Sequence, residues 1–286
     1  MNWGATAPPP PAAPPRLRPL GVGEILDGAI KVWRTDFRRL FPYVALFSLP
    51  AQIAVALLRL SITNDGSVTS TDSNGLVTVD ASSLRAVLGG AVVIVLITLL
   101  STLVITAALT AYLTDRILDR PADLKACLRV GWSRILPLIG VGFLVAMGAG
   151  LGLLACVIPG VILFIRWNFA SQIVVVERAR PIAAMKRSFW LTEGRFWPVL
   201  GIVLISGILA GIISSVFSGI LDAIVVAITG ADSVASTLSS LVTATIASGL
   251  TLPFSAAVSV ITYLDLRVRR EGLDLQLLAQ GISPAP

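Results

Sequence analysis

Long runs of apolar residues dominate the pattern along the chain. Residues 86–114, 196–221 and 233–264 contain no Asp, Glu, Lys or Arg. Each run is longer than the roughly 20 residues with which an α-helix crosses the hydrocarbon core of a bilayer. A single soluble core cannot bury several runs of this length, so the pattern predicts an all-α integral membrane protein.

The spans can be counted from the breaks between the apolar runs. A first span follows Arg39, with Pro42 in its first turn and Pro50 as an expected kink. The run 135–176 is about twice as long as one crossing requires, so it must fold back, and the Pro-Gly pair in residues 157–160 is the expected break. The six predicted spans are 40–58, 86–113, 135–156, 160–176, 197–221 and 236–264.

A short amphipathic segment precedes the first, third and fifth spans. In residues 22–38 the apolar positions recur at helical spacing, and the charged positions fall on the other face. Similar segments lead into Pro137 and Pro198, each of which opens a membrane helix as Pro42 does. The sequence therefore predicts six transmembrane helices as three hairpins, each preceded by a cytoplasmic amphipathic interfacial helix.

The basic residues predict how the spans are oriented. Every lysine and arginine except Arg59, Arg85 and Arg166 falls in a segment that the six-span count places on one side. By the positive-inside rule that side is the cytoplasm, so both termini are expected to be cytoplasmic. Residues 1–19 are rich in proline and are expected to form a disordered tail, with residues 20–272 as the membrane domain and 273–286 as a second tail.

Composition excludes several kinds of chemistry. The chain has no histidine and two cysteines, so it lacks imidazole acid–base catalysis, His-ligated zinc and thiolate metal clusters. The predicted spans place Cys127 and Cys156 near opposite membrane faces, which excludes a disulfide between them. Asp115 and Asp119 leave open a metal-dependent lipid enzyme, but no further ligands accompany them. We therefore expect no enzymatic activity, no metal, no cofactor and no nucleic-acid partner.

Several motifs together resemble those of a known family. They are residues 20–29 (LGVGEILDGA), 158–170 (IPGVILFIRWNFA), Glu177, 186–197 (KRSFWLTEGRFW) and 263–274 (YLDLRVRREGLD). Over about residues 17–276 the chain resembles the largely actinobacterial family of glycerophosphoryl diester phosphodiesterase membrane-domain proteins.

The resemblance implies a helical integral membrane protein of undefined biochemical role. The family takes its name from relatives in which this domain is fused to a soluble phosphodiesterase barrel. That barrel needs histidines, and this sequence has none, so the family name implies no such activity here. The bias towards Arg, Ala and Gly also suggests a bacterial source and hence the bacterial plasma membrane.

Arg166 is the one charged residue inside a predicted span. A charge at the centre of a membrane helix costs about 2.5–3.5 kcal/mol on insertion scales, so Arg166 needs a partner. Three roles stay open: lining a water-filled cavity, binding an anionic headgroup or substrate, and hydrogen bonding to carbonyls near the kinks at Pro50 or Pro253. Asn168 and Gln172, four residues apart on one face, are expected to form interhelix hydrogen bonds or to join a ligand site.

A second set of candidate residues is basic and precedes the spans. It comprises Arg34, Arg38, Arg39, Lys186, Arg187 and Arg195. Such residues either contact anionic lipid headgroups or only fix the orientation of the chain.

Two functions follow from these patterns. The first is a non-enzymatic scaffold or accessory subunit whose cytoplasmic face contacts anionic membrane lipids or membrane or cytoplasmic partner proteins. The alternative is a transporter or lipid-handling component with Arg166 in a mid-membrane anion site. Small-residue pairs such as Gly207 and Gly211 also leave a homo-oligomer open.

Overall fold

Helices form almost all of the described chain. The computed structural model describes residues 19–64, 69–71, 77–79, 81–118, 120–230 and 234–272. Its helices are α1 (Val22–Asn64), α2 (Ala81–Ile117), α3 (Leu124–Ser133), α4 (Ile135–Ala155), α5 (Val157–Arg166), α6 (Ala170–Val176), α7 (Pro181–Thr192), α8 (Phe196–Thr229) and α9 (Val234–Glu271). Apart from residue 19, the predicted tails lie outside the described residues, as does Asp119.

Two short strands depart from the all-α prediction. β1 (Thr69–Thr71) and β2 (Val77–Val79) pair antiparallel between α1 and α2, with Thr69 opposite Val79. The predicted spans 40–58 and 86–113 left these residues as a connection without regular structure. Thr and Val favour extended backbone because their side chains branch at Cβ, which accounts for the local strand pairing.

Six helical stretches are long and apolar enough to cross a membrane, which confirms that part of the sequence prediction. They are Val22–Leu60, Leu88–Ile117, Ile135–Ala155, Val157–Val176, Phe196–Thr229 and Val234–Glu271. α9 is the most enclosed of them and packs against α1, α2, α7 and α8, whereas α8 is the most exposed. The exposed side chains of α8 are mainly Leu, Ile and Val, as expected for a surface that faces lipid.

The first predicted interfacial helix is not a separate element, which corrects the sequence prediction. α1 runs without interruption from the amphipathic segment into the first span, and it contains both Pro42 and Pro50. Pro42 therefore lies in the interior of a helix rather than in its first turn, and the carbonyl of Arg38 has no backbone donor four residues later. The helix nevertheless continues through the proline, and α9 packs along α1 on both sides of it. The second and third amphipathic segments do form separate helices, α3 and α7.

The fold-back between α4 and α5 occurs at Cys156, which has extended backbone angles of φ −169° and ψ 143°. Pro159 then lies in the first turn of α5, where its missing N–H removes no helical hydrogen bond. A Cβ added to Gly160 would lie 2.5 Å from the backbone nitrogen of Leu153, and one added to Gly152 would lie 2.9 Å from the Cα of Gly160. The glycines therefore allow the two helix backbones to approach closely.

One end of the helix bundle collects the segments that carry most of the basic residues. Here the Leu20 N–H donates to Asp265 Oδ1 at 2.7 Å, which joins the start of α1 to the end of α9. Arg116, near the end of α2, pairs with Asp36 at 3.2 Å. We call this the basic end, defined by Leu20, Arg116, Glu193 and Arg270. At the opposite end, Arg59 donates to Ser240 at 3.3 Å.

Candidate functional site

The three residues of the predicted ligand site lie in or beside a break between α5 and α6. The prediction placed Arg166 halfway along a continuous span, whereas in the structure Arg166 is the last residue of α5. The chain then turns through residues 167–169 before α6 begins at Ala170. Asn168 N–H donates to the Ile165 carbonyl at 3.3 Å, three residues back rather than four, so the turn is tighter than an α-helix.

Ser188 of α7 bridges this break. Its hydroxyl donates to the Arg166 carbonyl at 2.7 Å and accepts the Phe169 N–H at 3.3 Å. Ser188 is fully buried. The broken helix leaves backbone groups without helical partners, and in a membrane protein such groups must be satisfied by the protein itself. A side chain from α7 does this here.

The guanidinium of Arg166 lies over the ring of Phe189, with 4.2 Å between Cζ and the ring centroid. This distance fits a cation–π contact. Its Nη1 atom is buried and has no hydrogen-bond partner among the residues that the structure describes. Neither Pro50 nor Pro253 supplies a carbonyl to it within that part of the chain. Near Pro253 the Leu250 carbonyl instead accepts the Trp33 indole N–H at 3.0 Å.

Gln172 and Asn168 differ in their surroundings. Gln172 is buried, and with its amide nitrogen turned towards the break it donates to the carbonyls of Asn168 and Phe169, each at 3.2 Å. These bonds are local to the α5–α6 segment. The side chain of Asn168 instead lines a cavity of about 200 Å³ between α8 and α9.

Five of the six predicted lipid-contact residues are exposed and make no ion pair with any other residue in the described ranges. They are Arg34, Arg38, Arg39, Lys186 and Arg195. All five belong to segments at the basic end. Their charges are therefore available to a partner outside the described chain.

Arg187 differs from the other five because it belongs to an ion-pair cluster. It pairs with Glu177 at 3.2 Å and also with Glu271 at the end of α9. Arg267 pairs with the same two carboxylates, at 3.8 Å to Glu177 and 3.0 Å to Glu271. Tyr263 completes the cluster by donating its hydroxyl to Glu177 at 2.7 Å. The cluster therefore joins α6, α7 and α9.

Two further contacts extend this polar layer. Arg269 pairs with the buried Asp265 at 2.8 Å and donates to the Leu20 carbonyl at 2.7 Å. Arg270 donates to the Glu193 carbonyl and lies 5.4 Å from the ring of Trp190. From the sequence alone, the basic residues of 267–270 indicate a short stop-transfer anchor after the last span. Their i,i+4 spacing to Asp265 and Glu271 was visible, but the long-range partners required the fold.

Two apolar grooves with basic residues at their margins lie beside the short helices. The groove at α7 has a volume of about 420 Å³ and is lined by Lys186, Phe189 and Trp167 among others. The groove at α3 has a volume of about 450 Å³ and is lined by Lys125, Arg129 and Trp132 among others. Neither short helix was predicted to contribute a groove. Within the described ranges, no three His, Cys, Asp or Glu residues are placed to hold a metal ion.

Part of the chain matches a known family model. Residues 128–266 are similar to a family described as a domain of unknown function (DUF7847), a segment that runs from within α3 to near the end of α9. No curated protein and no solved structure matches the chain. The matched segment contains the α5–α6 break, Ser188 and the cavity beside Asn168, and it excludes α1 and α2.

Proposed function

We propose that the chain is a non-enzymatic scaffold or accessory subunit of the bacterial plasma membrane. Its basic end faces the cytoplasm and contacts anionic lipid headgroups, and through them or directly it positions partner proteins. The observation that carries this proposal is the exposure of Arg34, Arg38, Arg39, Lys186 and Arg195 at one end of the bundle, without ion pairs to other described residues. Each such charge near an anionic surface contributes about 1 kcal/mol of attraction.

The two grooves support a lipid as the direct partner. A phospholipid has an apolar tail and an anionic headgroup, and each groove combines an apolar floor with a lysine at its margin. Tryptophan is enriched at membrane interfaces because its ring is apolar and its N–H is polar. Trp132 and Trp197 are both largely exposed at the basic end, as expected if this end lies at the membrane interface.

The proposed arrangement includes the topology inferred from the sequence. Both termini are cytoplasmic, and α3 and α7 lie in the interface before the hairpins α4–α5 and α8–α9. Contacts between α4 and α5, between α8 and α9, and between α1 and α2 support three hairpins. α1 differs because its amphipathic part continues directly into the span.

Lipid retention tests this proposal. The protein is reconstituted in nanodiscs of equal phosphatidylglycerol and phosphatidylcholine, released, and its bound lipids are counted by native mass spectrometry. We expect phosphatidylglycerol to be enriched on the wild type and the enrichment to fall in Arg34→Gln/Arg38→Gln/Arg39→Gln. The control, Arg59→Gln/Arg85→Gln, removes charges from segments predicted on the opposite side and should retain the enrichment. Equal retention of both lipids by the wild type would refute the proposed binding of anionic headgroups.

A pull-down from mild detergent separates a scaffold from a lipid-binding protein without partners. A scaffold should retain the same membrane or cytoplasmic proteins in repeated purifications, and the Arg34, Arg38 and Arg39 triple variant should reduce that retention. If purified wild type carries lipids but never a reproducible protein, the scaffold proposal is wrong.

Arg166 favours a second candidate function, a carrier with an anion site. The specific observation is its buried Nη1 atom, which has no partner among the described residues. A planar anion-binding fork requires arginine, so Arg166→Lys should then abolish transport or phenotype almost as completely as Arg166→Leu while the protein folds normally. If Arg166 is structural, Arg166→Lys should retain the phenotype with a mild loss of thermal stability. We expect the structural outcome because Lys can also lie over the Phe189 ring.

A further inference from the structure

A polar cavity lies between α8 and α9, next to the α5–α6 break. Its volume is about 200 Å³. Its lining residues include five with polar side chains: Asn168, Ser206, Ser255, Ser259 and Thr262. No charged residue is among those that line the cavity. α9 carries many other Ser and Thr residues, but Thr245, Ser248 and Thr251 donate to carbonyls of their own helix. Polar side chains in the membrane are costly unless they are hydrogen bonded, so the question for the cavity is which of its polar groups lack such a partner.

The five polar side chains fall into two groups. Ser206 donates to the Val203 carbonyl at 3.1 Å, and Thr262 donates to the Val258 carbonyl at 2.7 Å, so their donors are used within their own helices. The side chains of Asn168, Ser255 and Ser259 make no hydrogen bond to other residues in the described ranges. Three uncommitted polar groups from two separate segments therefore converge on one cavity.

The cavity also has room and two directions of approach. At about 30 Å³ per molecule it corresponds to about seven waters. Gly207 lines the cavity and is exposed on the outer surface of α8, where an added Cβ would meet no atom within 4 Å. A second cavity of about 180 Å³, lined by Arg195 and Arg269 at the basic end, shares Ile202 and Thr262 with the first. A ligand could therefore enter from the lipid beside Gly207. It could also enter from the basic end, through the second cavity and past Ile202 and Thr262.

We propose that this cavity binds a neutral, hydroxyl-rich group, of the kind found in sugars and glycerol. An anion is disfavoured because no cation lines the cavity, and an acyl chain would leave three polar side chains without partners. A hydroxyl-rich group can donate to the side-chain amide oxygen of Asn168. It can also accept from the side-chain NH₂ of Asn168 and from the hydroxyls of Ser255 and Ser259. The site is separate from the exposed cations of the basic end, so it does not depend on the proposed contact with anionic lipid.

Two probes distinguish the sources of such a group. Monoglucosyl diacylglycerol in phosphatidylcholine nanodiscs presents the sugar on a lipid, and free glucose presents it from water. Binding is measured on the full chain by native mass spectrometry for the lipid and by saturation-transfer NMR for glucose. The proposal requires that at least one probe binds. If neither does, the cavity holds only water and the proposal is overturned.

The serine pair provides the residue-level test. Ser255→Ala/Ser259→Ala should weaken binding of the positive probe by about tenfold or more, since two hydrogen bonds are removed. The control is Ser215→Ala/Ser218→Ala on α8, where both hydroxyls already donate to backbone carbonyls of their own helix. The control pair should bind as the wild type does. Unchanged binding by Ser255→Ala/Ser259→Ala, with its thermal stability intact, would also overturn the proposal.

A glycine pair distinguishes the route of entry. Gly207→Leu should block the glycolipid and spare free glucose if the group arrives from the lipid. Gly211→Leu is the matched control, because Gly211 is equally open and exposed on α8 but does not line the cavity. If both Ser255→Ala/Ser259→Ala and Gly207→Leu bind a probe as strongly as the wild type does, the probe binds outside this cavity. That result would contradict the assignment.

Discussion

The hydroxyl of Tyr263 donates to Glu177 Oε1 at 2.7 Å, across 86 residues of sequence. Tyr263 is fully buried in α9, and Glu177 directly follows α6 as its C-cap. Arg187 and Arg267 pair with the same carboxylate. One acidic residue therefore connects α6, α7 and α9 at the basic end.

The first prediction concerns this ion-pair cluster. Arg187→Ala removes the ion pairs to Glu177 and Glu271. These two partly buried carboxylates then keep Arg267 as the cationic partner that they share. We expect a destabilisation of about 1–3 kcal/mol, lower than for a fully buried pair because Arg187 retains 30% of its side-chain exposure. Thermal unfolding in detergent, followed by tryptophan fluorescence, measures this change.

Arg180→Ala is the matched control for that experiment. Arg180 is exposed and makes no ion pair with the other described residues, so its loss should shift the melting temperature little. Equal shifts for the two variants would show that the cluster does not hold the helices together.

The second prediction concerns Ser188, which bridges the break between α5 and α6. Ser188→Ala leaves the buried Phe169 N–H without its acceptor and the Arg166 carbonyl without this donor. Leaving buried groups unsatisfied costs about 1–3 kcal/mol each at most, so a clear loss of thermal stability is expected. Ser206→Ala, which removes only a bond within its own helix, should be nearly neutral. A stable Ser188→Ala protein would mean that another group satisfies the break.

The third prediction tests the close approach of α4 and α5. Gly160→Ala places a methyl group 2.5 Å from the backbone nitrogen of Leu153, and backbone cannot move aside as a flexible side chain can. We expect a loss of folded, monodisperse protein in size-exclusion chromatography. Gly142→Ala in α4 meets no atom within 4 Å and should be neutral or stabilising by up to about 1 kcal/mol. A well-folded Gly160→Ala protein would contradict the packing of this turn.

The fourth prediction is a pH dependence at Cys127. Burial, together with the smaller effect of the Asp115 and Asp123 carboxylates, raises the pKa of the Cys127 thiol to about 11. An unfolded thiol ionises at about pH 8.5, so the folded state holds its proton to higher pH. The contribution of this thiol to stability is therefore complete below about pH 8.5 and is lost as the pH approaches the folded value.

Two measurements check this. The melting temperature of the wild type should fall relative to that of Cys127→Ala between about pH 8.5 and pH 11, and the difference should be constant at lower pH. At pH 8 a maleimide should label the exposed Cys156 rapidly and the buried Cys127 slowly, as single-cysteine variants will show. Rapid labelling of Cys127 in the folded protein would contradict its burial.

Much of the fold could be predicted because membrane spans leave a strong local signal. Runs without charge gave six spans, and the Pro159–Gly160 pair gave the turn between α4 and α5 to within a few residues. The continuity of α1 was missed because a proline after an amphipathic segment resembles a helix start, whereas packing against α9 supports a helix on both sides of it.

The candidate site could be predicted only in part, for a physical reason. Arg166 was conspicuous because a charge in an apolar run is costly, but the break behind it depends on Ser188, a residue 22 positions away. The cavity beside Asn168 is lined by serines and a threonine that are common in membrane helices. Only their convergence in three dimensions distinguishes them.

The central claim is that the basic end contacts anionic lipid, and tryptophan fluorescence tests it most directly. Trp33, Trp132, Trp190 and Trp197 lie in or next to the predicted interfacial segments, and Trp167 packs beside Gly148 of α4. Phosphatidylglycerol or phosphatidylcholine with brominated acyl chains is mixed at equal mole fraction into nanodiscs that hold the protein. Bromine quenches only the tryptophans beside which the lipid resides.

We predict stronger quenching by brominated phosphatidylglycerol than by brominated phosphatidylcholine. The difference should shrink in Arg34→Gln/Arg38→Gln/Arg39→Gln and should persist in Arg59→Gln/Arg85→Gln. Equal quenching by the two lipids, or a difference that the triple variant leaves unchanged, would contradict the claim that these arginines hold anionic lipid at the basic end.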